Sequence, residues 1–292
     1  MQSLFLYLPR LILICTVFIN LIDVAHAHEA IHARDASGTS ITLAQPAKRI
    51  ISLAPHITEL LFAVGAGPQV IAVSQYSDYP TPAKALPRIG AAGALDLEKI
   101  IQLKPDLIIG WQSGNAANAI EKLRALSINV YLSEPRNLDD IGKELLDIGR
   151  LSGGAQANQA TIAWQDFVRT LKPRNKKIIN TFIEIWPAPL MSINQQHLLT
   201  DALQRCGGHN IIDTPALAPV VDIESVLIKK PALVVLALPT EQAHAAERDW
   251  QQWPTLHARI MTINPDELLR PTPRMMFGIR RLCAALHALA AP

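Results

Sequence analysis

The sequence predicts an α/β fold: two doubly wound lobes with parallel sheets, joined by one long helix. Three observations carry this expectation. A pattern in the first half of the chain recurs in the second. The strand candidates are unbroken apolar runs, the signature of sheets covered on both faces. Between the two copies lies a segment of helical period. The length of 292 residues sits where a single hydrophobic core stops growing and chains divide.

The elements follow in order. Residues 1–27 read as an export signal: Arg10 is the positive flank, Leu11 to Ile22 the short apolar run, and Ala25-His26-Ala27 the small-x-small cleavage site. The run is shorter than the about 20 residues a membrane span needs. The alternative is a retained anchor. Residues 28–45 are expected to be a flexible mature N-terminus. Residues 46–137 form the first lobe, opened by Arg49-Ile50-Ile51. Gly65 caps a helix over Thr58 to Val64, and strands follow at Val70 to Val73 and Leu107 to Ile109.

The repeat pairs Asp96-Leu97-Glu98-Lys99-Ile100-Ile101 with Asp222-Ile223-Glu224-Ser225-Val226-Leu227. Both continue in register, to Lys104-Pro105-Asp106-Leu107-Ile108-Ile109 and Lys230-Pro231-Ala232-Leu233-Val234-Val235. Each copy reads as a short helix with an acidic N-cap, a Lys-Pro break and a buried strand. Residues 138–172 form the connecting helix, with Leu138, Ile141, Leu145, Ile148, Ile162, Phe167 and Leu171 on one face and Gly153-Gly154 as its weak point. Residues 173–292 form the second lobe, which holds a strand from Ile178 to Ile185. Cys206 and Cys283 remain once the signal with Cys15 is gone. In an oxidising compartment they read as a disulfide, which would place Cys206 through Cys283 in one lobe; the alternative is two buried free thiols.

Composition excludes several functions. With 27 Lys+Arg against 25 Asp+Glu, the net charge of +2 is too small for electrostatic capture of nucleic acid. At 49% hydrophobic residues the chain is not disordered. No nucleophile elbow, phosphate loop or dinucleotide fingerprint occurs. His28-Glu29-Ala30-Ile31-His32 matches a zinc-hydrolase motif, but it starts at the cleavage site without helical context, so an accident of the mature terminus is the stronger reading. No metal site is expected.

The remaining polar and aromatic residues gather at strand ends, where open α/β sheets bind ligands. His56 follows the first strand, either facing this crevice or facing solvent at a helix start. Ser74-Gln75-Tyr76-Ser77-Asp78-Tyr79-Pro80, Trp111-Gln112-Ser113-Gly114-Asn115 and Trp186-Pro187 follow other strands. Aromatic residues make up only 5% of the chain, so their grouping suggests a ligand wall. Each cluster taken alone is better explained as loop packing; together they favour a cleft.

Several runs make a family resemblance specific. Arg49-Ile50-Ile51-Ser52-Leu53-Ala54-Pro55-His56-Ile57-Thr58-Glu59-Leu60, Tyr76-Ser77-Asp78-Tyr79-Pro80, Pro189-Leu190-Met191, Cys206-Gly207-Gly208 and Arg270-Pro271-Thr272-Pro273-Arg274 resemble periplasmic cobalamin-binding proteins. These are substrate-binding proteins of ABC importers with the helical-backbone fold, and the likeness runs through the whole mature chain. It implies a non-enzymatic, monomeric periplasmic carrier without a cofactor, whose ligand is cobalamin or a related corrinoid. It implies a ligand site of Tyr76, Trp111, Met191, Asp266 and Arg270 with His56 nearby, where His56 either ligates cobalt or hydrogen-bonds the corrin amides. It also implies docking of Glu98 and Glu224, one per lobe, onto the permease dimer. Ala92, Ala218 and Glu267 stand where some relatives carry tryptophans. The alternatives are a haem or ferric-siderophore carrier, a zinc hydrolase using His28, Glu29 and His32, and an envelope-anchored structural protein with an uncleaved signal.

Overall fold

The computed structural model describes residues 30–291. The expected signal, with Cys15, and His28 and Glu29 of the zinc motif lie outside them. The described residues open with an antiparallel hairpin, β1 (Ile31–Arg34) on β2 (Ser40–Leu43), so the part of the expected flexible segment 28–45 that lies among them is ordered as strands instead. Ala33, Ile41 and Leu43 alternate inward, and Gly38 turns the chain at φ 83°. Asp35 locks the turn: its buried carboxylate accepts from Ser37 Oγ (2.7 Å), the Thr39 amide (2.8 Å), the Leu132 amide (3.2 Å) and Arg124 (2.8 Å). His32 lies on β1, in extended backbone, and contacts Thr42 Oγ1 at 3.0 Å. Among the described residues, no group of three His, Cys, Asp or Glu is placed to hold a metal.

The first lobe contains β3 (Ile50–Ser52), α1 (Pro55–Ala63), β4 (Val70–Val73), the short pair β5 (Gly90–Ala91) and β6 (Ala94–Leu95), α2 (Leu97–Gln102), β7 (Leu107–Trp111), α3 (Ala117–Ala125) and β8 (Asn129–Ser133). Its sheet runs β4-β3-β7-β8, all parallel. Alternation at period two divides each apolar run between two cores. Ile50, Leu107 and Ile109 face one side, while Ile51 and Ile108 face the other with Ile100, Ile120 and Leu123.

The connecting segment differs from expectation. It is two helices, α4 (Leu138–Ser152) and α5 (Ala157–Thr170), not one helix interrupted in place. Gly153 takes φ 68°, a left-handed cap that L side chains disfavour, and the chain reverses there. A Cβ on Gly154 would collide with the Val64 carbonyl of the first lobe, and one on Gly149 with Ala157. The glycine pair thus lets the turn approach α1 closely. The helices run antiparallel, and the buried Trp164 donates Nε1–H to the Leu138 carbonyl at 2.7 Å. At the other lobe, the start of α4 meets a carboxylate of the next helix bundle, with the Leu138 amide bonded to Asp201 at 2.9 Å.

The second lobe comprises β9 (Ile179–Pro187), β10 (Leu190–Ser192), α6 (Leu198–Arg205), β11 (Gly208–Asn210), α7 (Ile223–Ile228), β12 (Leu233–Leu236), α8 (Thr240–Gln251), β13 (Arg259–Thr262) and α9 (Met275–Ala290). Its sheet runs β10-β9-β12-β13, with β11 also on β9. All pairings are parallel except β10 on β9. The repeat extends to the backbone: Lys104 and Lys230 both adopt φ 46° before their prolines. Cys206 and Cys283 form a disulfide that ties the end of α6 to α9 within this lobe. One continuous core passes from the first sheet through α1, α4, α5, α6 and α9 to the second.

Candidate functional site

A cavity of about 440 Å³ opens between the lobes. The first lobe supplies residues that follow its strands: Pro55 and His56 after β3, Trp111 and Ser113 at the end of β7, and Glu134 to Arg136 after β8. The second supplies Gln196, His197 and Leu198 at the start of α6, Leu217, and Leu269 to Pro271. Because parallel strands share a direction, all their C-terminal ends reach the same edge, and the crevice there is built from several separate loops.

His56 sits in the first turn of α1, with its ring edge-on to Trp111 (centroids 5.5 Å apart, planes at 85°). Burial, aided by the positive charge of Arg270, pulls its imidazole down to about 3. Across the cavity, burial pulls His197 down to about 4. Its Nδ1 accepts the Leu199 amide at 3.1 Å and caps α6. Each lobe therefore presents a neutral imidazole to the same space.

Arg270 reaches the cavity but is held by carboxylates from both lobes. It donates to Glu59 and Asp78 of the first lobe at 3.1 Å each, and its Nε lies 2.9 Å from Asp266. Glu59, 3% exposed at its side chain, also accepts from Thr272 (3.0 Å) and from Arg274 (2.6 and 3.1 Å). Burial pushes the Glu59 carboxyl up, and Arg274, Thr272 and Arg270 draw it back only in part. The Arg274 guanidinium stacks on Tyr79 at 4.3 Å. This cluster joins the lobes beside the cavity. Burial is the largest single influence on Asp78 and pushes its carboxyl up, but the bond and charge of Arg270, a backbone amide and the charge of Arg274 together hold it below the ordinary value.

Of the residues expected at the ligand site, the structure brings His56, Trp111 and Arg270 to the cavity wall. Tyr76, 75% exposed at φ 63°, stands outside it. Met191 pairs with Trp186 across the β9–β10 hairpin, and Asp266 touches the site only through Arg270 and Arg274. Ala92, Ala218 and Glu267 do not line the cavity either. Trp186 donates to the Ala188 carbonyl at 3.0 Å, closing its own turn. Glu98 and Glu224 are exposed in the first turns of α2 and α7. Residue-by-residue reading missed Glu59, Glu134, Arg136, His197 and Arg274. For Glu59 the available signal was a lone carboxylate amid the apolar positions of a helix that begins at a strand end.

Two α/β lobes with a cleft at their strand ends define a solute-capturing protein, and comparison with known proteins agrees. Residues 50–257 match the model of the periplasmic binding protein family, and the chain belongs to that family. It is accordingly a substrate-binding protein rather than an enzyme. The chain is 35% identical over 252 residues to a vitamin B12-binding protein of Vibrio cholerae, covering 82% of this chain and 90% of that protein. It is 33% identical over 253 residues to one of Yersinia pestis, covering 85% and 90%. The crystal structure of the periplasmic vitamin B12 binding protein of Vibrio cholerae superimposes with a TM-score of 0.76 at 34% identity, over 85% of this chain and 99% of that one. A periplasmic heme-binding protein from Roseiflexus shares the fold, with a TM-score of 0.70 at 22% identity.

Proposed function

We propose that this chain is exported to the periplasm and captures cobalamin or a related corrinoid between its lobes. It then delivers the corrinoid, as a monomer, to the permease dimer of an inner-membrane ABC importer. The observation that carries this reading is the pairing of a cleft walled by both lobes with 35% identity, over 82% of the chain, to a protein named for binding vitamin B12. The wall suits a large amphipathic ligand: Trp111 and Leu217 supply apolar surface, while Ser113, Gln196 and Arg136 supply polar groups for amides. In this reading Trp111, Arg270 and His56 contact the corrinoid in the closed cleft. Tyr76, Met191 and Asp266 take part only if the ligand extends past the cavity. Titration calorimetry with cyanocobalamin, cobinamide, haemin and a ferric siderophore tests the proposal. Corrinoid binding with no response to haemin or siderophore is expected; binding of haemin alone would transfer the role to haem.

Docking on the permease falls to Glu98 and Glu224. They are exposed carboxylates at matching places in the two copies of the repeat, so a two-fold partner with basic groups can hold both at once. Glu98→Lys with Glu224→Lys is expected to leave corrinoid affinity intact and to abolish stimulation of the importer's ATPase. Undiminished stimulation would remove both residues from the interface.

A further inference from the structure

His56 leads into a chain of buried groups that ligand capture as described does not use. Behind its ring lie Ser133 at the end of β8 and Glu144 on α4, both buried. Ser133 Oγ is 2.6 Å from Glu144 Oε2 and 3.4 Å from His56 Nε2, and Glu144 Oε1 accepts the Glu134 amide at 3.0 Å. A serine hydroxyl has one proton to give. Above about pH 7, where the buried Glu144 is ionised, the short contact assigns that proton to the carboxylate, which leaves the Ser133 oxygen to accept from Nε2–H of His56. A neutral imidazole with its proton on Nε2 carries a lone pair on Nδ1. The ring is neutral because burial and Arg270 pull it down to about 3. Nδ1 has no partner among the described residues. It is also not sealed within the protein, since the buried unpartnered side-chain atoms are confined to Gln69 and Thr161, and His56 lines the cavity.

We infer that His56 receives a hydrogen bond from an N–H donor of the cargo at Nδ1, in a tautomer fixed by Ser133 and Glu144, and does not ligate the cargo's metal. This rests on the proposed function for the nature of the cargo. Imidazole coordination needs a metal within about 2.1 Å of the nitrogen. Nε2 is committed to Ser133. Nδ1 adjoins the ring carbon that carries Cβ and hence the α1 main chain, which crowds the approach of a flat macrocycle's centre more than that of a group on its rim. A primary amide projecting from the macrocycle's rim can reach the lone pair. Ser133 and Glu144 are positioning residues here, because they never touch the cargo.

The inference is tested on the full mature chain. Nitrogen-15 spectra of histidine-labelled protein, taken above the Glu144 value of about 7 so that its carboxylate is ionised, should show Nε2 of His56 protonated and Nδ1 bare. In Glu144→Gln the amide donates to Ser133, whose proton turns to Nε2, and the His56 proton moves to Nδ1. That variant should bind cyanocobalamin about tenfold more weakly, the effect of one lost hydrogen bond. His56→Ala should weaken binding by a similar factor and leave the visible spectrum of bound cobalamin unchanged. His56→Asn, whose side-chain oxygen can stand near the Nδ1 position, should restore most of the affinity. A changed visible spectrum in His56→Ala, a proton on Nδ1 in the wild type, or full affinity in Glu144→Gln overturns the inference. If the wild type binds no corrinoid, the functional reading fails and the acceptor role with it. The nitrogen spectra of the free protein still decide the tautomer separately.

Discussion

The two lobes repeat one supersecondary plan but are closed by different chemistry. In the first, the opening hairpin is fastened by the Asp35 carboxylate, which ties it to Arg124 and to the backbone of β8. Asp106 also accepts the Lys48 and Arg49 amides at 2.8 and 2.9 Å, holding the entry to β3. The second lobe has Ala232 at the place of Asp106 in the repeat, and no such clamp is possible. Its helices α6 and α9 are joined instead by Cys206–Cys283. An exported chain can use either device, so the lesson is that the repeat fixes the path of the chain, while local bonds fix how firmly each copy is shut.

The largest effect should come from breaking the covalent closure. Cys206→Ser with Cys283→Ser opens a loop of sequence separation 77, which the chain-entropy model values at about 4 kcal/mol. Native-state hydrogen exchange should show the loss concentrated in α6 and α9. Equal loss of protection in β3 and β7 would mean that the lobes, which share a core through α4 and α5, unfold as one unit.

The matching test in the first lobe is Asp35→Ala. It breaks the ion pair to Arg124 and leaves the buried Leu132 amide without its acceptor, together with the Ser37 hydroxyl and Thr39 amide of the turn, at a cost of about 3 kcal/mol. Denaturation midpoints read this directly, and a loss under about 1 kcal/mol would show that solvent replaces the carboxylate. Nothing near Asp35 in sequence announces this role. Two of its contacts are local, to Ser37 and Thr39, but the decisive ones are to Arg124 and Leu132, across intervals of 89 and 97 residues.

That contrast runs through the molecule. Features set by local pattern were legible: the apolar runs of β7 and β12, the Lys-Pro breaks and the helix stop at Gly65. Gly153-Gly154 was legible as a weak point, but the reversal depends on α5 finding α4, with Trp164 closing on Leu138. Within the site, His56 and Trp111 were legible because they directly follow strands. Glu59 and His197 were not, since a buried carboxylate is recognisable only beside Arg270 and Arg274, more than two hundred positions away. Asp266 came from resemblance alone, Tyr76 and Met191 from strand-end clusters and resemblance together, and loop geometry sets all three apart from the cavity.

A smaller effect separates the two histidines that face each other across the cleft. Both are held neutral, His56 near 3 and His197 near 4. Below the ordinary value of about 6.5 the unfolded chain binds protons that these rings refuse, so their contribution to stability falls as pH drops towards 4. Glu144, raised by burial to about 7, works in the opposite direction over pH 7 to 4.5, so wild-type curves mix the terms. Substitution isolates them. Between pH 7 and pH 5, His56→Asn and His197→Asn should each gain about 2 kcal/mol on the wild type, because both folded values lie below this window, and the two part only as pH approaches 4. Asparagine retains a side-chain oxygen to cap α6. Parallel pH curves for wild type and variant would show that the ring protonates without cost.

The smallest effect probes the repeat itself. Asp96 and Asp222 precede equivalent helices, and sequence alone predicts the same acidic cap for both. Only Asp96 makes it, accepting the Lys99 amide at 3.0 Å. Asp222 lies in extended backbone at φ −87°, ψ 140° without a side-chain cap bond, and the hydroxyl of Ser225 donates to its carbonyl. Removing the bonded cap should cost about 1 kcal/mol, so Asp96→Ala should lower the urea midpoint at unchanged m-value. Asp222→Ala keeps every bond drawn to its main chain and forfeits only its charge near the helix start, an exposed interaction that salt screens. Its midpoint should therefore lie close to wild type, and closer still in 0.5 M salt. If the two variants lose equally, the caps are alike in solution, and the repeat governs side-chain bonding as well as the course of the backbone.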